Sequence, residues 1–329
     1  MKTKKGSERV WAALLAAALC AAARPLSAAD ENAGTYGAVF MKLPTGSPRA
    51  QALGNTGASL MEGSEAMSIN PAGVASAQLR ELNFAYLGWF GGYGGQYLAY
   101  VHPIGQSVLG FNLAYYSVDG FDVRDDQGIP QYSQDIKVRN AYASLTLAKS
   151  FFLERFALGA SVKSVLEDNY SESYQNYVFD LGARLRLGRK LSFGWSGQNY
   201  SGGEKEVVKL SRLGASFSPN PFLTLTVENK KASDQDEAVF GGGVELNIPE
   251  EVLQVGKVSF RAGYTDTSDF GRSYDSTLDK LGLEEASGWS FGIGIYSAQS
   301  LGYGVALDYA LVPYGALGKA NQISVKMQF

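Results

Sequence analysis

The residues that could do chemistry in this chain are few and poorly grouped. His102 is the single histidine among 329 residues. It stands beside Pro103, and no serine or cysteine lies at a spacing that would make it the base of a nucleophile. The stretch Gly194-Trp195-Ser196-Gly197-Gln198 misses the nucleophile-elbow pattern because Gln198 occupies the place of the last glycine. Gly315-Ala316-Leu317-Gly318-Lys319-Ala320 fails as a phosphate loop, since its glycines are too close and no Ser or Thr follows the lysine. Asp119, Asp122, Asp125, Asp126 and Asp135 gather in one hydrophilic stretch that could hold calcium, but their spacing is not that of an EF-hand. A solvated acidic loop is the plainer reading. These observations point away from an enzyme and call for no cofactor and no metal.

A second set of charges is more informative. Asp180, Arg184, Arg186, Arg212, Glu228, Glu245, Lys257, Arg261 and Asp308 sit in segments that are otherwise half apolar. In "VFDLGARLRL", Phe179, Leu181, Ala183, Leu185 and Leu187 fall on one side, while Asp180, Gly182, Arg184 and Arg186 fall on the other. The two faces meet different media. A charge turned to lipid near the bilayer midplane would cost roughly 2–4 kcal/mol, so these side chains are expected to point into a lumen. There they either build an ion-pair network that holds a plug or line a polar path that steers a ligand; the network is the preferred reading.

The elements that position them are strands. From Leu79 onward the pattern repeats every second residue, in fourteen segments near 80–89, 95–103, 107–118, 138–151, 155–166, 175–187, 190–199, 208–218, 221–229, 238–248, 256–265, 287–297, 301–311 and 321–329. Their length suits a tilted strand crossing a bilayer. One set of connections is short (103–106, 152–154, 188–189, 219–220, 298–299, with 249–255 its longest), and the alternate set is mostly long and polar (119–137, 167–174, 200–207, 230–237, 266–286). Alternating short and long turns along an even number of strands is the habit of outer-membrane barrels, with short turns periplasmic. A soluble β-sandwich also alternates, but its strands are typically shorter and its loops are not sorted by length. The expectation is all-β: a 14-stranded antiparallel transmembrane β-barrel in the bacterial outer membrane, with both chain ends on the periplasmic side.

The last strand, "NQISVKMQF", keeps its alternation up to Phe329. Backbone polar groups must all be paired in lipid, so this strand is expected to close on the first one. Phe329 then joins an aromatic girdle and resembles the terminal signal read by the outer-membrane assembly machinery.

Ahead of the barrel, Lys2, Lys4, Lys5 and Arg9 precede the apolar run 10–23, and Leu26-Ser27-Ala28-Ala29 offers small residues for cleavage, so residues 1–28 read as an export signal. The sole cysteine, Cys20, falls inside it. Without residues 1–28, 24 basic against 31 acidic side chains leave a net charge of −7, which does not favour nucleic acid. Residues 29–78 form a separate unit before the barrel at 79–329. Its stretch 41–78 is rich in Ala, Gly, Ser and Pro, with small residues where strands want bulk, and predicts a plug with a short helix near Ala50–Leu53 and a turn at Asn70-Pro71-Ala72-Gly73. The many glycines of the strands then make room for it.

The stretch "FMKLPTGSPRAQALGNTGASLMEGSEAMSINPAG" resembles the N-terminal region of PorV/PorQ-like outer-membrane proteins, relatives of the FadL fatty-acid transporters. The similarity is specific over about 35 residues and architectural elsewhere. It implies a fourteen-strand barrel with an N-terminal hatch in which Asn70, Pro71, Ala72 and Gly73 form the hatch motif. It also implies one of two roles: secretion of the type IX kind, with cargo or secretion-system proteins bound at loops and lumen, or passive transport of a hydrophobic solute. Outer-membrane lipid is a partner in both. No fatty-acid-contacting residue carries over.

Overall fold

The computed structural model describes residues 36–121, 124–125, 127–130, 136–169, 172–201, 206–253, 256–267, 271–297 and 303–329. The expected export signal at 1–28 lies outside them, as do Asp122, Asp126 and Asp135. Fourteen antiparallel strands form one closed ring. They are β1 (Glu81–Gly88), β2 (Gly94–Ile104), β3 (Ser107–Val118), β4 (Val138–Phe151), β5 (Phe156–Asp168), β6 (Ser173–Leu187), β7 (Leu191–Ser201), β8 (Leu210–Asn220), β9 (Leu223–Ala232), β10 (Val239–Ile248), β11 (Lys257–Thr265), β12 (Trp289–Ser297), β13 (Gly304–Pro313) and β14 (Lys319–Gln328). All boundaries fall within three residues of those read from the alternation.

Ring closure is made by β1 against β14, from Glu81 opposite Gln328 to Gly88 opposite Asn321. The closure continues one residue further, because Arg80 and Phe329 exchange backbone hydrogen bonds of 3.1 and 3.0 Å. Phe329 is exposed, its ring meeting Tyr303 edge-on at 6.3 Å. The period of two does what it must: Leu82, Phe84 and Tyr86 of β1, and Leu109, Phe111, Leu113 and Tyr115 of β3, face outward and are exposed, while the residues between them are buried. A contiguous apolar exterior of this kind suits lipid rather than water. The connection expected at 167–174 shrinks to 169–172, since the β5–β6 ladder runs on to Asp168 opposite Ser173.

A ring of this size encloses more space than its own side chains fill. Residues 36–78 occupy it. The helix α1 (Pro48–Ala52) starts two residues earlier than expected because Ser47 caps it, accepting from the Ala50 N–H at 3.1 Å, and Pro48 fits the first helical position. Asn70 also caps, accepting from the Ala72 N–H at 3.0 Å, so the expected turn at 70–73 is the start of a 3-10 helix over Pro71–Ser76. Packing around this segment is core-like: Leu53, Met61, Met67 and Val74 are buried together with Tyr97, Val101 and Tyr116 of the wall.

The segment threads the whole height of the ring. Gly37 pairs in parallel with Val207 in the β7–β8 connection, the Ala38 N–H donates to Glu167 near the end of β5, and Lys42 pairs with Asp234 in the β9–β10 connection. These are long-loop, outward-mouth positions. At its other end Ser76 meets Arg184 and Arg186, near the short β6–β7 turn. Phe329 lies on the short-turn side, as expected, while the described part of the inner segment begins with Tyr36 at the long-loop mouth and crosses the lumen before β1; the expected N-terminal end lies outside the described residues.

Glycines in the wall admit this thread. A Cβ on Gly243 would stand 2.7 Å from the Leu53 Cα, and one on Gly194 would overlap the Ala58 carbonyl. Replacing Gly243 by Val is expected to unseat the segment at a cost of about 1–3 kcal/mol or more. Limited proteolysis in detergent should then cut residues 46–60 while the barrel keeps its heat-modifiable gel mobility. Val162→Leu on the lipid side should change neither.

Candidate functional site

The site is the contact between the inner segment and the ring, and it is held by charges at four places. In the first, α1 presents Arg49 to Glu245 of β10 in a two-pronged pair of 2.8 and 2.6 Å. Arg261, directly opposite Glu245 on β11, donates to the same carboxylate at 2.8 Å and also to Asp308 of β13. Glu245 is fully buried, so two guanidinium groups are what allow it to stay charged. Burial alone would ease the proton off Arg49; the Glu245 carboxylate outweighs it and raises the guanidinium further.

The second place is the short-turn side of β14 and β1. Lys326 donates to Glu65 at 2.9 Å, while Glu81 accepts from the Ser64 N–H and hydroxyl, both at 2.8 Å, and from Gln328 at 2.8 Å. Burial by itself would push the Glu65 carboxyl up, but Lys326 and Arg49 hold it below its ordinary value. Third, Glu228 of β9 receives the backbone N–H groups of Gly57 and Ala58, each at 2.7 Å, and is paired with Arg212 of β8 at 2.8 Å. Fourth, Arg184 of β6 donates to the Met61 carbonyl at 3.1 Å, to Glu62 at 2.9 Å and to Ser76 at 2.6 Å, with Arg186 beside it on Glu62.

Asp180 does something else. It is buried, paired with Lys163 at 2.7 Å, and accepts the Asn199 N–H at 2.9 Å. There the β6–β7 register shifts, and Asn199 has a φ of 62°. The carboxylate fills the gap left by a bulge in the wall and does not touch the segment. Lys257 is half-buried at the start of β11. Asn70 joins the segment to itself and to the wall, donating to the carbonyls of Ala58 at 2.6 Å and Ala183 at 3.2 Å. Pro71 and Ala72 lie over Gly159 and Gly182, where wall side chains would collide with their backbone, and Gly73 lies against the Met61 carbonyl.

Sequence reasoning named the wall charges but missed their partners on the segment, Arg49, Glu62 and Glu65, and the wall residues Glu81, Lys163 and Lys326. Parity alone could have found Lys163 and Lys326, which sit at inward positions of β5 and β14; nothing local marks Arg49, whose partner lies 196 residues away. The near-motifs stay apart: His102 bonds Tyr100 on β2 at 3.0 Å, Ser196 is buried on β7, and Lys319 holds Asp275 at 2.9 Å. Among the described residues, no three His, Cys, Asp or Glu side chains are grouped to hold a metal.

No family model matches the chain, and neither does any curated protein. Solved structures do. The Ralstonia pickettii toluene transporter TbuX aligns with a TM-score of 0.56 at 13% identity, over 85% of this chain and 96% of its own. The Pseudomonas putida toluene transporter TodX gives 0.55 at 10%, over 85% and 96%. A Pseudomonas aeruginosa FadL homologue gives 0.54 at 13%, over 87% and 98%. At such identities the likeness is one of fold: the chain has the FadL-like 14-stranded outer-membrane barrel fold.

Replacing Glu245 by Ala leaves two buried guanidinium groups without a carboxylate and is expected to cost about 3–5 kcal/mol, read as a lower denaturation midpoint in detergent. The Glu65 tether is lost only in strong acid. A carboxyl held below its ordinary value of 4.5 adds stability that is complete above that value and is lost only as pH falls through the lower, folded one. Proteolysis of the inner segment should be unchanged between pH 7 and pH 5 and should rise only in stronger acid.

Proposed function

We propose that this chain is a passive channel of the bacterial outer membrane for small hydrophobic molecules, with residues 36–78 as its hatch. The observation that supports this most is the pairing of a FadL-like barrel with a lumen filled by a segment held through non-covalent tethers. Such a lumen passes nothing while the segment stays packed, yet every tether is an ion pair or hydrogen bond that can be exchanged. The fold is shared with the toluene transporters TbuX and TodX, and this favours a small apolar solute over protein cargo. In this reading the exposed apolar belt meets outer-membrane lipid, and the terminal strand with Phe329 is what the assembly machinery reads.

The PorV/PorQ-type secretion role implied by the resemblance makes a different forecast, and one experiment separates the two. Purified protein reconstituted in liposomes should accelerate entry of toluene over protein-free vesicles, and organic extraction of the purified protein followed by mass spectrometry should release an apolar molecule. No acceleration, an empty extract and a stable crosslinked envelope protein would overturn the channel and favour secretion.

A further inference from the structure

The inner wall of the ring is electrically divided. The inward positions of β2 are Gly95, Tyr97, Ala99 and Val101; those of β3 are Val108, Gly110, Asn112, Ala114 and Tyr116; those of β4 are Asn140, Tyr142, Ser144, Thr146 and Ala148. Not one is charged. From β5 round to β1, by contrast, the wall carries buried charges, among them Lys163, Arg184, Glu228, Glu245, Arg261 and Glu81. The tethers divide in the same way. Among the described residues, no ion pair joins the inner segment to β2, β3 or β4. Contact there is made by Phe40 on Tyr116, with ring centres 5.3 Å apart, by Met67 over Gly110, and by long hydrogen bonds from Tyr97 to the Ser64 carbonyl at 3.4 Å and from Ser150 to the Ala75 carbonyl at 3.3 Å.

We infer that the solute passes along this neutral arc, between the inner segment and β2–β4, and that the molecules admitted are uncharged. The inference rests on the channel reading above and adds a route and a substrate class to it. The physical reason is a difference in what separation exposes. Parting Arg49 from Glu245 strands buried charges, which is costly whatever enters the gap. Parting Phe40 or Met67 from the wall uncovers apolar surface that an apolar solute covers again. A carboxylate entering the same gap would find no cation on the inner face of β2, β3 or β4 to replace its water, and the neighbouring Lys163, over the Tyr142 ring at 5.6 Å, is already paired with Asp180.

The arc is continuous from mouth to base. At the outer mouth Tyr93 stacks on Tyr116 at 6.0 Å, and Trp89 lies 5.0 Å from Tyr314. Below them successive rungs place Tyr116 opposite Asn140, Ala114 opposite Tyr142, Asn112 opposite Ser144, Gly110 opposite Thr146 and Val108 opposite Ala148. Asn140 is buried; its amide donates to the Tyr93 hydroxyl at 3.1 Å, and its carbonyl oxygen has no hydrogen-bond partner. It supplies a neutral acceptor, suited to a hydroxyl-bearing solute, where a charged receptor would supply a cation.

Isosteric amide-to-acid changes test this without altering shape. Asn140→Asp puts a carboxylate on the neutral arc, and Gln322→Glu puts one on the inner face of β14, within the charged arc. In liposomes, Asn140→Asp is expected to slow toluene entry about tenfold or more, and Gln322→Glu, as barrel that keeps its heat-modifiable mobility, to leave entry within a factor of about two. Wild-type protein should pass toluene but not benzoate at neutral pH. Benzoate entering as fast as toluene, or Gln322→Glu slowing entry while a folded Asn140→Asp does not, would overturn the neutral arc. Should Asn140→Asp fail to show heat-modifiable mobility, the toluene-to-benzoate ratio of the wild type decides alone. If the wild type passes neither solute, the channel reading itself fails, and that result is distinct from a wrong route.

Discussion

Everything in this molecule follows from the need to pair backbone hydrogen bonds where water is absent. A sheet with a free edge cannot stand in hydrocarbon, so β1 must find β14, and the match runs from Glu81 to Gly88 without a break. Closure at fourteen strands then sets the second problem. The ring is too wide for its own side chains to fill, and an open lumen would be an aqueous pore. The chain answers with its own N-terminal stretch, which enters at the long-loop mouth and leaves at the base where β1 begins. The order of elements along the chain thus follows from geometry: the thread has to precede the first strand.

Close fit and charge divide the labour of holding that thread. Gly159, Gly182, Gly194, Gly243 and Gly263 let backbone lie on backbone, which fixes where the segment sits but gives little directional preference. The buried ion pairs supply the direction. Replaced by apolar residues of equal volume, such pairs often cost nothing, so their value here is better understood as register than as stability. Arg49 can satisfy Glu245 only if α1 is seated at one height and one rotation, and Glu228 can receive Gly57 and Ala58 only if the next turn follows.

Much of this was legible in the chain itself, for a physical reason. Strand parity is local: Phe179 and Asp180 must face opposite ways whatever the rest of the fold does, so the strands and the inward charges could be read directly. The small residues of 41–78 likewise announce close packing. What could not be read is non-local. Arg49 finds Glu245 because ten strands of accumulated register carry β10 round to face α1, and no window of sequence contains that sum. Asp180 shows the same limit from the other side. Its parity was right, but a bulge at Asn199 gives it a partner in the wall and not in the lumen.

The division of the inner wall has a consequence for how such a thread could move. A segment tethered evenly around its girth would have to break all its contacts at once, and the cost of several buried ion pairs would forbid it. Without an ion pair to β2, β3 or β4, it can part from that arc while Arg49, Glu65 and the Gly57–Ala58 amides stay bound. The energy of opening is then set by Phe40, Met67 and their neighbours, contacts of a kind that an entering apolar molecule reproduces. Selectivity follows from the same asymmetry, since only a solute able to take the place of those side chains lowers the barrier to its own passage.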